Sequence, residues 1–166
     1  MARIYRCAGI DVGLTSAHIA FLKSNGLEKI LALKRTPDGK RIDPIYLRGV
    51  LDMTMPDIVY IENATAMGAG TMSSYLKAAG AIEATVTLCG IDSVYVMPST
   101  WKQYFARHYK LGSDKKASVR LARELFPYLA DTYFKHWNTH NAAEAALIAL
   151  YGGMRCDLVS LQKVAA

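Results

Sequence analysis

The sequence has 166 residues, of which 52% are hydrophobic, and a formal net charge of +6 at pH 7. This length fits one domain over residues 1–166 with a sizeable core, and it excludes architectures that need two full lobes. The positive charge favours a polyanionic partner.

The cysteine count and the apolar runs bear on the cellular compartment. The three cysteines are widely spaced and form no CxxC pair, which argues against a disulfide framework or a zinc site. No apolar run reaches about 18 residues without polar interruption, and the first residues lack the long apolar segment of a signal peptide. We therefore expect a soluble, intracellular protein without a membrane partner.

The first part of the chain predicts a meander of three antiparallel strands. Strands are predicted over residues 3–12, 16–23 and 29–35, with turns at 13–15 and at Ser24-Asn25-Gly26. Asp11 lies at the end of the first apolar run. A carboxylate buried there is costly unless a metal, a basic side chain or a metal-held phosphate pairs with it. The alternative is an aspartate that caps its own turn.

The middle of the chain predicts helix, strand, helix and strand. Asp43-Pro44 begins a helix, as N-cap and first helical residue, and Pro56 stops it. The strand over 57–62 ends in a second carboxylate, Glu62. A helix over 71–88 and a strand over 92–97 follow, which implies a parallel strand pair with a right-handed crossover.

Two apolar or small faces are predicted on these helices. The first helix is expected to bury Ile45, Leu47, Val50, Leu51 and Met55. The second has a stripe of small residues, which favours close packing on the sheet over packing on a partner subunit. The stripe consists of Gly70, Ser73, Ser74, Ala78, Ala81 and Ala84.

The last third of the chain predicts three helices. The helix after Pro98 interleaves aromatic and basic residues, among them Trp101 and Lys102, which suits either a nucleic-acid surface or buried aromatics with solvated charges. A helix over 115–126 carries a basic stripe of Lys115, Lys116, Arg120 and Arg123, and a linker over 128–138 follows.

The final helix, over 139–152, provides a third acid. Its residues His140, Asn141 and Glu144 are related by i,i+3 and i,i+4 spacing, so they project from one region of its first turns. Asp11, Glu62 and Glu144 together are suited to a carboxylate cage for hard divalent cations, which prefer oxygen ligands.

The motifs and their order resemble the RuvC-type Holliday junction resolvases of the RNase H-like nuclease superfamily, especially the small phage forms. GIDVG alone is also similar to the phosphate loops of actin-like ATPases and sugar kinases, but those proteins need two lobes. The matching segments are GIDVG at 9–13, VYIEN at 59–63, PSTWK at 98–102, DKKASVRLARELFP at 114–127 and HNAAEAALIALYG at 140–152.

This resemblance implies an α/β, RNase H-like fold. Its five-stranded mixed sheet has three antiparallel strands followed by two parallel strands, is flanked by helices, and makes the first and fourth strands neighbours. It also implies a crossover junction endodeoxyribonuclease that resolves four-way (Holliday) and other branched DNA junctions in recombination or repair. The reaction would be hydrolysis with two Mg²⁺ ions, for which Mn²⁺ could substitute.

The resemblance also assigns residues. Asp11, shared between the ions, Glu62, Glu144 and Asn141 would be metal ligands, and Asn141 or His140 would complete a metal shell or position water. Lys102 and Lys115 would contact phosphate or stabilise transition-state charge. The expected assembly is a homodimer in the cytoplasm of a bacterial cell or a phage-infected host. Further nucleic-acid contacts are expected from Lys116, Arg120, Met67 and Trp101.

Two departures from the family pattern matter. Many members have four carboxylates, whereas Asn141 stands here at the first acid position of the final helix, so a second ion should bind less tightly before substrate phosphate arrives. Bacterial members carry a base-stacking aromatic three positions after the strand-end acid, where this chain has Thr65. Junction opening is therefore expected from Met67 in the segment 64–70, with Tyr75 or Trp101 as alternatives.

Two other functions remain open from the sequence. One is an RNase H-like nuclease that acts on RNA/DNA hybrid or flapped DNA. The other is a nuclease-dead module that binds branched DNA through its basic helices.

Overall fold

One mixed sheet is formed by five strands, which are β1 (Arg6–Asp11), β2 (His18–Lys23), β3 (Gly26–Ala32), β4 (Ile58–Glu62) and β5 (Asp92–Val96). The computed structural model describes residues 5–13, 16–39, 41–63, 69–114, 116–136 and 139–159. β1 pairs antiparallel with β2 and parallel with β4, which confirms the predicted neighbours. The strand order across the sheet is β3-β2-β1-β4-β5.

Helices cover both faces of this sheet, and the expected α/β architecture with three antiparallel and two parallel strands is confirmed. A 3₁₀ turn at Pro127–Leu129 and α5 occupy part of the predicted linker. The helices are α1 (Pro44–Thr54), α2 (Ala69–Leu88), α3 (Pro98–Tyr109), α4 (Ala117–Leu125), α5 (Ala130–Tyr133) and α6 (His140–Arg155).

Alternate residues of each strand enter two separate cores. Ile10 and its same-face neighbours pack with the buried sides of α1 and α2. Cys7 and the residues that share its face pack with α3, α4 and α6. Since side chains alternate along a strand, Asp11 lies on the same side of the sheet as Cys7 and faces α6.

Two helix faces differ from the prediction. In α1 the buried residues Leu47, Val50, Leu51 and Thr54 follow helical spacing, whereas Ile45 is exposed. Met55 is also exposed, because it forms the C-cap in a left-handed conformation with φ 45° and lies off the helical face.

The small-residue stripe of α2 does not pack on the sheet, so that expectation is wrong. Ser73, Ser74 and Ala84 are exposed, and Ala78 is the buried member. The helix instead packs through a side with larger residues, which is formed by Tyr75, Ala78, Ala79, Ile82, Thr85 and Val86.

The third strand begins three residues earlier than predicted. Ser24 and Asn25 form a two-residue turn, and Gly26, with φ 125°, pairs directly with Lys23. Glycine adopts this positive φ without the steric cost that a side chain would add.

No helix in the described part of the chain is long and apolar enough to cross a membrane.

Candidate metal centre

Three acids from separate parts of the chain meet on the α6 side of the sheet. Asp11 and Glu62 are the last residues of the neighbouring strands β1 and β4, and Glu144 lies on the second turn of α6. One carboxylate oxygen from each lies within 4.8 Å of the others. Asp11 is 4% exposed and Glu62 is 7% exposed. The structure therefore brings together the three acids that the sequence predicts as a cage.

Close approach of α6 to β1 makes this meeting geometrically feasible. A Cβ placed on Gly9 would lie 2.2 Å from the backbone nitrogen of Ala149 and 2.6 Å from the carbonyl oxygen of Ala145. These helix positions are small and fully buried. The backbone of α6 thus lies directly on β1, two residues before Asp11.

Burial and mutual repulsion raise the pKa of the two strand-end acids. The pKa of Asp11 is well above its usual range because the group is buried, with further contributions from Glu62 and Glu144. The pKa of Glu62 is raised by burial and then by Glu144, against the lowering effects of Trp101 and Lys102. Two carboxylates in contact cannot easily both ionise in a poorly solvated site. The positive charge of Lys102 therefore does not offset burial and repulsion at the two strand-end acids.

The donor set fits a hard divalent cation. Among the described residues, Asp11 Oδ2 is a buried atom with no hydrogen-bond partner. Buried polar atoms are normally paired, and an unpartnered oxygen on an acid that lies beside two other acids is a natural ligand position. Oxygen-only ligands at this spacing suit Mg²⁺ or Mn²⁺ rather than zinc, which prefers nitrogen and sulfur.

Two buried aromatic residues hold Glu62. The indole Nε1 of Trp101 donates to Glu62 Oε1 at 3.1 Å, and the Tyr75 hydroxyl donates to the Glu62 carbonyl oxygen at 2.5 Å. Trp101 is 0% exposed and Tyr75 is 1% exposed. Neither ring presents a surface to nucleic acid, so the expectations that Trp101 contacts it and that either residue opens a junction are not met.

Glu144 is held by two residues from neighbouring helices. Lys102 Nζ lies 3.0 Å from its Oε1, and the Ser118 hydroxyl donates to the same oxygen at 3.1 Å. The side chain of Lys102 is 43% exposed, so it also reaches the surface. Sequence reasoning missed Ser118, because a serine in the first turn of a helix carries no signal of its long-range partner.

Asn141 contacts the β1–β2 connection. Its Nδ2 donates to the Ser16 carbonyl oxygen at 2.8 Å and to the Ser16 hydroxyl at 2.6 Å. Asn141 thus ties the first turn of α6 to the residues just before β2.

Two histidines lie beside the acids. His18 pairs with Asp11 across the β1–β2 ladder, so both side chains share the face toward α6. Burial lowers the pKa of His18, and the nearby His140 lowers it further. Sequence reasoning missed His18, because only the register between β1 and β2 shows that it lies opposite Asp11.

A groove leads away from Glu144 between α3 and α4. The pocket there has a volume of about 390 Å³. Lys116 and Arg120 are exposed on the adjoining turn and helix, and Arg120 forms an ion pair with Asp114 at 2.5 Å. The predicted residues Lys115 and Met67 lie outside the described residues. The pocket is lined by Lys102, Gln103, Ala106, Leu111, Gly112, Ser113, Asp114, Ser118 and Glu144.

Comparison with solved structures identifies similar folds. Thermus thermophilus RuvC in complex with a Holliday junction substrate aligns with a TM-score of 0.63 and 18% identity, over 91% of this chain and 96% of that chain. The yeast mitochondrial Holliday junction resolvase Ydc2 aligns with a TM-score of 0.63 and 15% identity, over 93% and 81%. The fowlpox virus Holliday junction resolvase gives 0.52 and 13%, over 90% and 98%.

Comparison at the level of sequence adds no relative. No protein-family model matches the chain, and no curated protein matches it. At these identities the structural likeness shows the fold, which is the RuvC-type, RNase H-like fold expected from the motifs.

Proposed function

We propose that the protein is a metal-dependent, structure-selective endonuclease that cuts four-way and other branched DNA. The observation that carries this proposal is the convergence of one carboxylate oxygen each from Asp11, Glu62 and Glu144 within 4.8 Å, at the end of a groove that Lys102 lines. Resolvases with the same fold support the choice of substrate. The net charge of +6 supports a nucleic-acid partner.

The three acids would hold Mg²⁺, with Mn²⁺ as a substitute. When bound, such ions activate water for attack on a phosphodiester and stabilise the leaving oxygen. The unpartnered Asp11 Oδ2 and the raised pKa of Asp11 indicate a group that needs a cation in order to ionise. Glu62, fixed on both its side chain and its carbonyl group, would supply an oriented ligand.

Lys102 would act at the boundary between the acids and the DNA. Lys102 pairs with Glu144, and its partly exposed side chain lines the groove. Its ammonium group would contact a phosphate of the bound strand when Glu144 serves as a metal ligand. We assign the same electrostatic contribution to Lys115, Lys116 and Arg120, which precede or lie on α4.

The remaining polar residues of the site are assigned from their contacts. His140 begins α6 close to His18, where we propose that it positions water or phosphate. The Nδ2 of Asn141 is committed to Ser16, which leaves the amide oxygen as its available ligand atom. Met67 keeps its proposed role in opening the branch.

A dimer is the assembly that suits a junction with approximate two-fold symmetry. The exposed stripe of α2, which includes Ser73, Ser74 and Ala84, is our proposed interface. Light scattering at micromolar concentration should give the mass of two chains, and a monomer alone would contradict this assembly.

The test of function is cleavage of an end-labelled four-way DNA junction. Linear duplex, Y-shaped DNA and RNA/DNA hybrid serve as competing substrates, in Mg²⁺ and in EDTA. We expect paired nicks in opposing junction strands that require Mg²⁺ and disappear in Glu144→Gln. Arg48→Gln, a change on the exposed surface of α1, is the matched control and should cut like the wild type.

Other outcomes identify the alternative functions. Preferential cleavage of RNA/DNA hybrid or flapped DNA would identify a nuclease with the same metal-dependent chemistry and a different substrate. Tight junction binding without any cut in Mg²⁺ or Mn²⁺ would identify a binding module whose three acids do not support turnover.

A further inference from the structure

The side chain of Trp101 points its only polar atom at a candidate metal ligand. Its indole Nε1 donates to Glu62 Oε1 at 3.1 Å, and the residue is 0% exposed. An indole N–H is a donor only, and a buried one normally finds an acceptor. The acceptor here is one of the two oxygens of a buried acid.

The pairing of β4 with β5 places the start of α3, and with it the Trp101 indole, beside Glu62. Glu62 pairs with Val96 at the end of β5, and the Asn63 amide donates to the Val96 carbonyl oxygen at 2.9 Å. α3 begins two residues after Val96, so its first turn lies next to the end of β4. Trp101 lies on this turn, which two ladder contacts fix relative to Glu62.

The next residue of α3, Lys102, contacts a second acid, Glu144. Lys102 Nζ lies 3.0 Å from Glu144 Oε1 and 4.9 Å from the centre of the Trp101 ring. Consecutive residues of α3 therefore contact two acids that come from β4 and α6. The first turn of α3 spans the cage on the side opposite the β1–β2 hairpin.

We propose that Trp101 is a positioning residue for Glu62, which holds one carboxylate oxygen so that the other faces Asp11 and the cation. This inference rests on the proposed metal-dependent function. A hydrogen bond to one oxygen fixes the rotation of the carboxylate and favours its ionised form, as partners of metal ligands commonly do. The opposing effects of burial and Trp101 on the Glu62 pKa agree with this arrangement.

The first test compares Mg²⁺ binding in the absence of DNA. Trp101→Phe keeps an aromatic ring and removes the N–H, and we expect it to weaken Mg²⁺ affinity by roughly 10-fold or more in calorimetric titration. Phe105→Leu is the control, since Phe105 is fully buried on the same helix and packs edge-to-face on Trp101 at 6.3 Å. It should lower thermal stability while leaving Mg²⁺ affinity within about twofold of wild type.

The second measurement covers the case in which Trp101→Phe does not fold. Trp137→Phe leaves Trp101 as the only tryptophan in the sequence. The indole N–H resonance of Trp101 should shift as Mg²⁺ is added, because its acceptor, Glu62 Oε1, belongs to a carboxylate that would then bind the cation. A purely packing role for Trp101 predicts no such shift.

The outcomes separate the two proposals. Wild-type protein that binds neither Mg²⁺ nor Mn²⁺ would overturn the proposed function. Wild-type protein that binds Mg²⁺, together with a folded Trp101→Phe variant of equal affinity, would overturn the role of Trp101 alone. If that variant is unfolded, an indole resonance that stays fixed at saturating Mg²⁺ overturns it.

Discussion

The two faces of the sheet use buried polar groups in different ways. On the face covered by α1 and α2, Thr54 and Thr85 are buried, and each hydroxyl donates to a carbonyl oxygen of its own helix at 2.7 Å. On the α6 face, the buried Asp11 and Glu62 come from different strands and depend on partners elsewhere in the chain. The buried hydroxyls of the first face are therefore satisfied within their own helices, whereas Asp11 Oδ2 on the second face has no hydrogen-bond partner among the described residues.

Packing differs between the faces for the same reason. The α1 and α2 face is filled by large side chains such as Leu47, Leu51 and Ile82, which hold the helices away from the strands. On the other face, Gly9 lets the α6 backbone touch β1. The carboxylate of Glu144 can contact Asp11 and Glu62 only if the α6 backbone lies close to the sheet. The acid cage therefore depends on the small size of Gly9.

The largest expected effect comes from filling this close approach. Gly9→Ala would place a Cβ 2.2 Å from the Ala149 nitrogen, and backbone atoms must shift to relieve the clash. We expect unfolding in urea to show a loss of about 3 kcal/mol, together with loss of Mg²⁺ binding as α6 moves away.

The neighbouring residue provides the control on the opposite face. Ile10→Val removes one methylene from a fully buried position and should cost about 1 kcal/mol without changing Mg²⁺ affinity. Equal loss of metal binding in both variants would mean that the two faces are not independent in the way proposed.

The sequence predicts this architecture well, because its signals are local. Asp43 was expected as an N-cap, and its side chain accepts from the amides of Ile45 and Tyr46. The order of apolar runs predicts the sheet, Asp11 and Glu62 end strands, and Glu144 lies within the first two turns of the final helix. The motif resemblance then places these acids together.

The supporting contacts of the site could not be predicted from the sequence. Trp101 on an aromatic and basic helix suits a DNA surface, and only tertiary packing shows that its ring is buried against Glu62. His18 joins the site through the strand register, and Ser118 joins through the packing of α4 on α6. Such contacts link residues far apart in the chain, where periodicity carries no information.

The second prediction concerns Asn141, whose amide joins α6 to the hairpin. Asn141→Ala removes the two hydrogen bonds that Asn141 Nδ2 donates to Ser16. We expect urea unfolding to show a loss of about 1 to 2 kcal/mol in the free energy of unfolding. Asn141→Asp should be equally destabilising, because a carboxylate has no N–H to donate. If Asp instead keeps wild-type stability and increases cleavage, then position 141 acts mainly as a metal ligand.

The third prediction concerns the loss of folding stability that burial of the Asp11 carboxylate causes. A carboxyl group whose pKa is raised in the folded state binds more protons there than in the unfolded state, so its contribution to stability falls as pH rises above its usual pKa. In EDTA, Asp11→Asn should therefore raise Tm by a few degrees at pH 7, and this gain should shrink toward pH 4. A wild-type Tm above that of Asp11→Asn at pH 7 in EDTA would contradict the prediction that the buried Asp11 carboxylate destabilises the folded state.

Added Mg²⁺ supplies the control for the third prediction. A ligand that binds the folded state raises its stability by mass action. Mg²⁺ should therefore stabilise the wild type and leave Asp11→Asn nearly unchanged, which reverses their order.

The smallest effect on stability is expected from the two ion pairs, one on each face. Lys102 and Glu144 lie 3.0 Å apart with 43% and 17% of their side chains exposed, whereas Arg48 and Asp52 lie 3.6 Å apart with 70% and 59% exposed. Such pairs contribute less than about 1 kcal/mol, and the more exposed one contributes the least. Lys102→Met and Arg48→Met should both leave Tm almost unchanged.

The two ion-pair variants should differ in metal binding. Lys102 would compete with the proposed cation for Glu144 Oε1, so Lys102→Met should tighten Mg²⁺ binding without DNA by about threefold, which corresponds to roughly 0.65 kcal/mol. The same variant should cut junctions more slowly, since the phosphate contact is lost. If Lys102→Met weakens Mg²⁺ binding instead, Lys102 holds Glu144 in place for the metal rather than competing with it.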